Sequence, residues 1–193
     1  MSGTLTSYFG DLTRLFDTLE VRNAAGGIFS IEDGARAALD LIQSTKTNRR
    51  KAMVIGNGGS AAIASHLQND LCKSVGMHAL VFTEQPLLTA LANDDGYQTA
   101  YQALVKLWAA PGDLLIAISS SGRSENILRS ARSAREAGCR IITLSGFAAD
   151  NPLRQMGDVN FYVSSPDYGP VEVIHAALAQ YLADALRLIP CPK

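Results

Sequence analysis

Apolar positions recur at helical spacing in the first part of the chain. Residues 5–19 carry one apolar face, which predicts a helix, and its members are Leu5, Tyr8, Phe9, Leu12, Leu15, Phe16 and Leu19. A second helix is predicted from Ser30 to about Gln43, with Asp33 placed close to a capping-box arrangement. Residues 44–50 are polar and predict a turn.

Beyond residue 50, short apolar runs alternate with helical stretches. The predicted strands are Ala52–Ile55, Ala79–Phe82, Leu114–Ile118, Arg140–Leu144 and Val159–Val163. The predicted helices lie at about 60–73, 86–93, 97–109, 124–137 and 170–187. This alternation predicts an α/β fold in which helices sandwich a five-stranded parallel sheet. We expect one domain over residues 1–193, with extra N-terminal helices in 1–48 and the α/β core in 49–193.

The two leading helices stand outside the alternation, so the apolar face of residues 5–19 must be covered in another way. A neighbouring subunit and the chain's own sheet are both open as the covering surface.

Composition narrows the class of protein. The chain is 47% hydrophobic and 18% charged, which is typical of a folded domain, and its net charge of −1 gives no global reason to expect nucleic acid or an anionic membrane as partner. The start lacks a signal peptide's basic and apolar regions, and no apolar run approaches the ~18 residues of a membrane span. We therefore expect a cytoplasmic protein in which Cys72, Cys139 and Cys191 are reduced thiols.

A glycine-rich loop follows the strand that ends at Ile55. It reads G-N-G-G-S-A-A over residues 56–62. Ligands of open parallel sheets bind beyond the carboxyl ends of strands, and a helix start offers N–H groups to an anion. The loop is neither a dinucleotide fingerprint nor a P-loop. An anion site and a tight turn capped by Ser60 are both open.

A serine-rich loop follows the strand 114–118. It reads S-S-S-G-R-S over residues 119–124, so four hydroxyls, several amides and a helix start converge. Hydroxyls donate hydrogen bonds to phosphate oxygens without a full countercharge. Arg123 could add charge, but an outward-facing solvated arginine is the simpler interpretation. The loop predicts a phosphate site.

The order of these motifs resembles the sugar isomerase (SIS) domain family. Within it, the chain is most similar to bacterial phosphoheptose isomerases, which interconvert sedoheptulose 7-phosphate and a heptose 7-phosphate. Further similar segments are A-L-A-N-D-D-G at 90–96, P-G-D at 111–113 and I-T-L-S-G at 142–146. The resemblance spans nearly the whole chain, including the N-terminal helices, which in that family help to build a tetramer.

The resemblance implies a homotetramer that binds a sugar phosphate at sites between subunits. The serine loop would hold the phosphate through Ser119, Ser120, Ser121 and Ser124. The sugar would be bound by Asn57, Gly58, Ser60 and Asp94.

The resemblance also implies a divalent metal, zinc in the family, between the helix after the glycine loop and the last helix. The matching positions are His66, Asp70, Glu172 and Gln180. Three of them depart from the family: Asp70 replaces a glutamate, Glu172 a glutamine and Gln180 a histidine.

Three other positions near this set bear on the site. Ile63 and Val173 stand where the family has acidic residues. His175 matches a family histidine, and a place in the core or in an interface is the simpler interpretation.

Aldose–ketose isomerisation moves a proton between C1 and C2 through an enediol, so it needs a base and a group that polarises the carbonyl. His66 and Asp70 share a helical face at i, i+4, and Glu172 and His175 share another at i, i+3. Asp70 and Glu172 are the candidate catalytic residues, because Gln180 cannot titrate.

The leading hypothesis is therefore a metal-assisted isomerase of a phosphorylated sugar, with sedoheptulose 7-phosphate as the first candidate. The alternative is a non-catalytic regulator on the same fold that binds a sugar phosphate or a protein.

Overall fold

The computed structural model describes residues 3–189. Its helices are α1 (Leu5–Asp17), α2 (Ile31–Thr47), α3 (Gly59–Asp70), α4 (Gln85–Leu91), α5 (Tyr97–Trp108), α6 (Glu125–Glu136) and α7 (Tyr168–Leu188). Its strands are β1 (Glu20–Asn23), β2 (Ile28–Phe29), β3 (Lys51–Ile55), β4 (His78–Val81), β5 (Leu114–Ser119), β6 (Arg140–Gly146) and β7 (Val159–Val163). Cys72 and Cys139 are free thiols, whereas Cys191 lies outside the described residues.

The strands form one sheet in the order β2-β1-β7-β6-β5-β3-β4. The five strands from β7 to β4 run parallel. They are the five strands that the sequence predicts, and their ends lie within two residues of the predicted bounds. The α/β fold and its parallel sheet are therefore confirmed.

The sheet has seven strands rather than five, because β1 and β2 form an antiparallel hairpin that pairs with β7. The turn is closed by Asn23, whose Oδ1 accepts hydrogen bonds from the N–H groups of Ala25 and Gly27 at 3.0 and 2.8 Å. Gly26 adopts a φ of 82°, which favours glycine. With four and two residues, these strands are too short for an alternating pattern to emerge from the sequence.

Helices cover both faces of the sheet, so the inner strands are buried on both sides. Every residue of β5 and β7 is buried. One face packs against α2, α3 and α7 through side chains such as Ile42, Leu67 and Leu182. The other face packs against α5 and α6, represented by Leu104 and Ile127. Two helical layers around a parallel sheet explain why the strands read as continuous apolar runs.

The first helix is only partly covered by its own chain. Thr4 caps it by accepting a hydrogen bond from the N–H of Ser7, and Leu12 is buried. Leu5 and Phe9 remain 74% and 59% exposed. Much of the apolar surface of α1 is therefore left open to a partner. Over residues 3–189, no helix has the length and apolar character needed to span a bilayer.

Candidate functional site

The glycine and serine loops meet because β3 and β5 are parallel neighbours in the sheet. Their carboxyl ends therefore lie side by side, and the two loops enclose a cavity of about 100 Å³. We call it the serine cavity; it is lined by Asn57, Ser60, Ser119, Ser120, Ser121, Ser124, Tyr168 and Glu172. The predicted phosphate-binding serines are thus brought together with Asn57 and Ser60.

The serine hydroxyls are only lightly engaged within the chain. Ser124 is the N-cap residue of α6, yet its side chain makes no capping hydrogen bond and lies 3.4 Å from the hydroxyl of Ser119. Ser120 Oγ is buried and has no partner among the described residues. A buried hydroxyl without a partner costs free energy, which a bound group could recover.

The backbone of the serine loop depends on Gly122. This residue has a φ of 61°, and a Cβ there would collide with the side chain of Asn151. Asn151 in turn donates to the carbonyl of Gly146 at 3.0 Å, which ties the serine loop to the end of β6. Arg123 points away from this arrangement: it is exposed and pairs with Asp150 at 2.6 Å, in keeping with the interpretation of a solvated arginine.

The N-cap of α3 is Gly58 and not Ser60, so of the two interpretations left open by the sequence, the turn capped by Ser60 is not the one observed. Gly58 has a φ of 54° and is the N-cap, whereas Ser60 is buried in the first turn and lines the serine cavity. A glycine cap has no side chain to bind the first N–H groups of the helix. Because Ser60 in the first turn of α3 lines the serine cavity, the positive end of this helix lies close to the serine hydroxyls.

Asn57 is held in place by two residues that the sequence did not single out. Its Oδ1 accepts hydrogen bonds from Asn126 Nδ2 at 2.9 Å and from the Tyr97 hydroxyl at 2.7 Å. Asn57 Nδ2 donates to Asn126 Oδ1 at 3.0 Å. The Tyr101 hydroxyl donates to the carbonyl of Gly56 at 2.8 Å, and burial raises the pKa of Tyr101, so this donor stays protonated. These bonds fix the glycine loop against α5 and α6.

Glu172 brings one carboxylate into the serine cavity. It lies on the second turn of α7, and its carboxylate packs so closely on Gly59 that a Cβ there would collide with it. The residue is partly exposed. Tyr168, at the start of the same helix, also lines the cavity. The serine cavity thus combines hydroxyl donors with a single acid.

Three of the four predicted metal ligands meet farther along the same two helices. His66 Nε2 lies 3.4 Å from Asp70 Oδ2 and 3.1 Å from Gln180 Oε1. We call this group the His66 cluster. Its histidine side chain is 65% exposed and its aspartate 15%. Glu172 is placed elsewhere, because it is eight positions from Gln180 on α7, about 12 Å along the helix axis.

The His66 cluster has the donor set of a nitrogen- and oxygen-ligated metal. Ligands at 2.0–2.1 Å from a tetrahedral zinc are separated by about 3.3 Å, close to the two distances in the cluster. Between residues 3 and 189, no three His, Cys, Asp or Glu side chains gather closely enough to hold a metal without help from another residue type. A metal here would therefore need the amide oxygen of Gln180.

The remaining candidates lie outside both groups. Asp94 is exposed in the π-helical turn Ala92–Gly96 and accepts a hydrogen bond from Asn93 at 2.8 Å. His175 is fully buried, and its Nε2 lies 3.2 Å from the carbonyl of Ser145. Burial lowers the pKa of His175 to about 4. The ring is therefore neutral near pH 7, and its placement agrees with the interpretation of a core histidine.

The geometry defines a class of protein: a parallel α/β protein whose helix starts and hydroxyls face a small site at the carboxyl edge of the sheet. A model of the SIS domain matches residues 8–146. The chain belongs to the SIS domain family.

Within that family, the chain is similar to phosphoheptose isomerases. It is 33% identical to that of Geotalea daltonii over 157 residues, which cover 78% of this chain and 81% of the relative. It is 29% identical to that of Helicobacter pylori over 164 residues, covering 82% and 85% of the two chains. The solved phosphoheptose isomerase of Neisseria gonorrhoeae has a TM-score of 0.82 at 25% identity, over 94% of this chain and 97% of that one.

Proposed function

We propose that the chain is a phosphosugar isomerase that interconverts a ketose and an aldose, with sedoheptulose 7-phosphate as its substrate. The observation that carries this proposal is the serine cavity, where five serine hydroxyls and the start of α3 lie around one small space that also holds one carboxylate. The names of the relatives support the same activity.

The serine cavity suits a phosphate group rather than a whole sugar. Its volume of about 100 Å³ is below the ~300–1,000 Å³ of typical ligand pockets. The hydroxyls of Ser121 and Ser124 would donate to the phosphate oxygens, while the helix dipole of α3 favours the negative charge. The carbon chain must then extend out of the cavity.

The seam between α3 and α7 offers a path for that carbon chain. Ser60 and His66 are six residues apart on α3, about 9 Å along the axis. An extended seven-carbon chain with a terminal phosphate spans on the order of 10 Å, at about 1.25 Å for each ~1.5 Å bond. The reacting C1–C2 end would then reach the His66 cluster when the phosphate sits among the serines.

Proton transfer falls to Asp70, whose carboxylate lies in the His66 cluster at the C1–C2 end of this path. Glu172 lines the serine cavity and packs on Gly59, seven residues and about 10 Å along α3 from His66, so it faces the phosphate end. Gln180 holds no proton to exchange, so it positions rather than transfers. The base removes a proton from C1 of the ketose, the hydroxyl proton on O1 moves to O2, and a proton that has exchanged with solvent returns to C2 to give the aldose.

His66, Asp70 and Gln180 would hold a divalent metal, for which zinc fits the donor set. When bound, such an ion polarises the substrate carbonyl and stabilises the negative charge of the enediol. Glu172, the fourth ligand predicted from the sequence, lines the serine cavity instead.

We further propose a homotetramer with the site shared between subunits. An apolar groove of about 150 Å³ between α1, α2 and α7 is open, and its lining includes Phe16, Ile31, Phe161 and Tyr181. Helices α1 and α7 also carry exposed apolar side chains such as Leu5, Phe9 and Tyr181. Apolar patches of this kind mark subunit contacts, so they support an oligomer. Sedimentation that finds a stable monomer at micromolar concentration would remove the shared site.

The regulator remains the second candidate because of Gln180. Its Oε1 accepts a hydrogen bond from His66 Nε2 directly, a contact that needs no metal. Under this alternative, the serine cavity binds the sugar phosphate and no bond is made or broken.

Turnover separates the two candidates. The chain is incubated with sedoheptulose 7-phosphate, with and without Zn²⁺ or another divalent cation, and aldose formation is followed by NMR. We expect aldose to form, and faster with metal. Saturable binding of the sugar phosphate without aldose under every metal condition would contradict the isomerase and leave the regulator.

A further inference from the structure

A second and larger concavity lies at the opposite edge of the sheet, where β3, β4 and β5 begin. Two adjoining cavities of about 710 and 350 Å³ share Arg49, Arg50 and His78. Strand β3 spans five residues at about 3.3 Å each, so this groove is more than 10 Å from the serine cavity. We call it the basic groove.

The basic groove has more positively than negatively charged side chains in its lining. Its lining includes Lys46, Arg49, Arg50 and Lys51, against one carboxylate, Asp113. That carboxylate is already engaged: it is 1% exposed, lies 2.5 Å from Lys51 Nζ and accepts from the N–H of Ala110 at 2.8 Å.

The other three cations form no ion pair within residues 3–189. The net charge of the whole chain is only −1, so the excess is local.

Arg49 occupies a backbone conformation that favours glycine. Its φ is 53°, and it follows Asn48, the C-cap of α2. The N–H of Arg49 bonds to the carbonyl of Lys46 and that of Arg50 to the carbonyl of Thr45, both at 2.9 Å. Glycine is the usual residue at this position after a helix. The backbone conformation alone therefore does not account for a long cation at this position.

A flat aromatic surface adjoins these cations. Trp108, at the end of α5, is 49% exposed and lines the larger cavity. It is the single tryptophan of the chain. An exposed indole stacks well on a planar ring, and guanidinium groups bind phosphate oxygens in pairs.

We infer that the basic groove binds a nucleotide, with its base on Trp108 and its phosphates on Arg49, Arg50 and Lys46. A phosphate alone would leave the indole unused, and an uncharged ring would leave the cations unused. The larger cavity is an open depression of about 710 Å³, so the nucleotide would lie along the surface with one side in solvent. This site does not depend on the proposed isomerase activity.

Tryptophan fluorescence tests the inference directly, because Trp108 is the only source of the signal. The chain is titrated with ADP, adenosine and inorganic phosphate while emission is excited at the red edge of the indole band. We expect saturable quenching by ADP, weaker binding of adenosine and phosphate by at least about tenfold each, and loss of affinity at high salt.

Two substitutions tie the signal to the groove. R49G removes a cation at a position that glycine adopts without strain, so it should fold, and R50Q keeps much of the side chain's length. We expect the double variant to bind ADP at least about tenfold more weakly, while S121A in the serine cavity leaves ADP binding unchanged. Circular dichroism checks the fold.

Alkylation of Cys72 gives a second reading, since this exposed thiol lines the same cavity. ADP should slow its modification, followed by mass spectrometry of the peptide. No quenching at millimolar ADP, or equal affinity in the wild type and the folded double variant, would overturn the inference.

Discussion

The serine cavity and the His66 cluster lie along the same two helices but differ in how firmly the chain builds them. In the cavity, Gly122 and Asn57 are locked by contacts to Asn151 and Asn126, so the hydroxyls are positioned before any ligand arrives. In the cluster, a largely exposed His66 touches one aspartate and one amide. Under the proposed function, phosphate binding would depend on a preorganised loop, and the chemistry would depend on a few side chains near the surface.

The largest effect should come from Asp70→Asn, which removes the acid from the His66 cluster but keeps its shape. We expect turnover of sedoheptulose 7-phosphate to fall by about 10²–10⁴-fold, because a general base is lost. Affinity for the sugar phosphate should stay within a few-fold of the wild type, since Asp70 lies outside the serine cavity. Asp184→Asn on the exposed side of α7 is the matched control and should change neither quantity. Full turnover in Asp70→Asn would assign proton transfer to another residue.

Next in size is the double substitution Ser121→Ala and Ser124→Ala, which probes the cavity alone. Each lost charge-assisted hydrogen bond is worth roughly 1.5–3 kcal/mol of binding free energy. Isothermal titration should therefore show sugar-phosphate affinity reduced by at least about 100-fold. The exposed Ser74→Ala is the control for a surface serine. Unchanged affinity in the double variant would place the phosphate elsewhere.

His66→Ala probes the cluster in the same way. It removes the one nitrogen donor that touches both Asp70 and Gln180, so zinc affinity, measured by competition with a chromogenic chelator, should fall by more than the roughly 10–100-fold typical of losing an outer-shell partner. Sugar-phosphate binding in the absence of metal should stay within a few-fold of the wild type. His78→Ala removes another exposed histidine and should leave zinc affinity intact. Equal zinc affinity in the wild type, His66→Ala and His78→Ala would show that the His66 cluster is not the metal site.

The smallest effect concerns stability rather than binding. The pKa of His175 is lowered to about 4 by burial, against about 6.5 in an unfolded chain. The unfolded state therefore takes up more protons between these values, and this histidine's stabilising effect, full above pH 6.5, is lost as the pH falls. The slope is about 1.4 kcal/mol per pH unit.

Urea unfolding from pH 7 to pH 4 should show a shallower decline in His175→Gln than in the wild type. Ser74→Ala, at an exposed site with no titratable group, should keep the wild-type slope. Parallel curves for the wild type and His175→Gln would mean that the buried ring is not the group that titrates.

The features that the sequence could predict are those that repeat along the chain. Five strands were predicted because each is a continuous apolar run between helical stretches, and both loops were found from unusual composition next to a strand end. The hairpin of β1 and β2 was missed because strands of four and two residues show no period.

Side-chain partners were harder to predict than elements. Asn126 could not be assigned to Asn57 because 69 positions separate them, and neither type of residue marks a site on its own. Glu172 and Gln180 are eight residues apart on α7, so their backbones are separated along the helix. The structure was needed to show which part of α3 each of the two residues faces.

The central claim is that a sugar phosphate held in the serine cavity undergoes proton transfer at C1 and C2. Incubation of the wild-type chain with sedoheptulose 7-phosphate and Zn²⁺ in D₂O tests it most directly, with ¹H NMR reporting the C1 protons of the ketose and the C2 position of the product. We expect aldose that carries deuterium at C2, with matching loss of C1 proton signal from the ketose. Tight binding of the sugar phosphate with unchanged C1 protons and no aldose would contradict the claim.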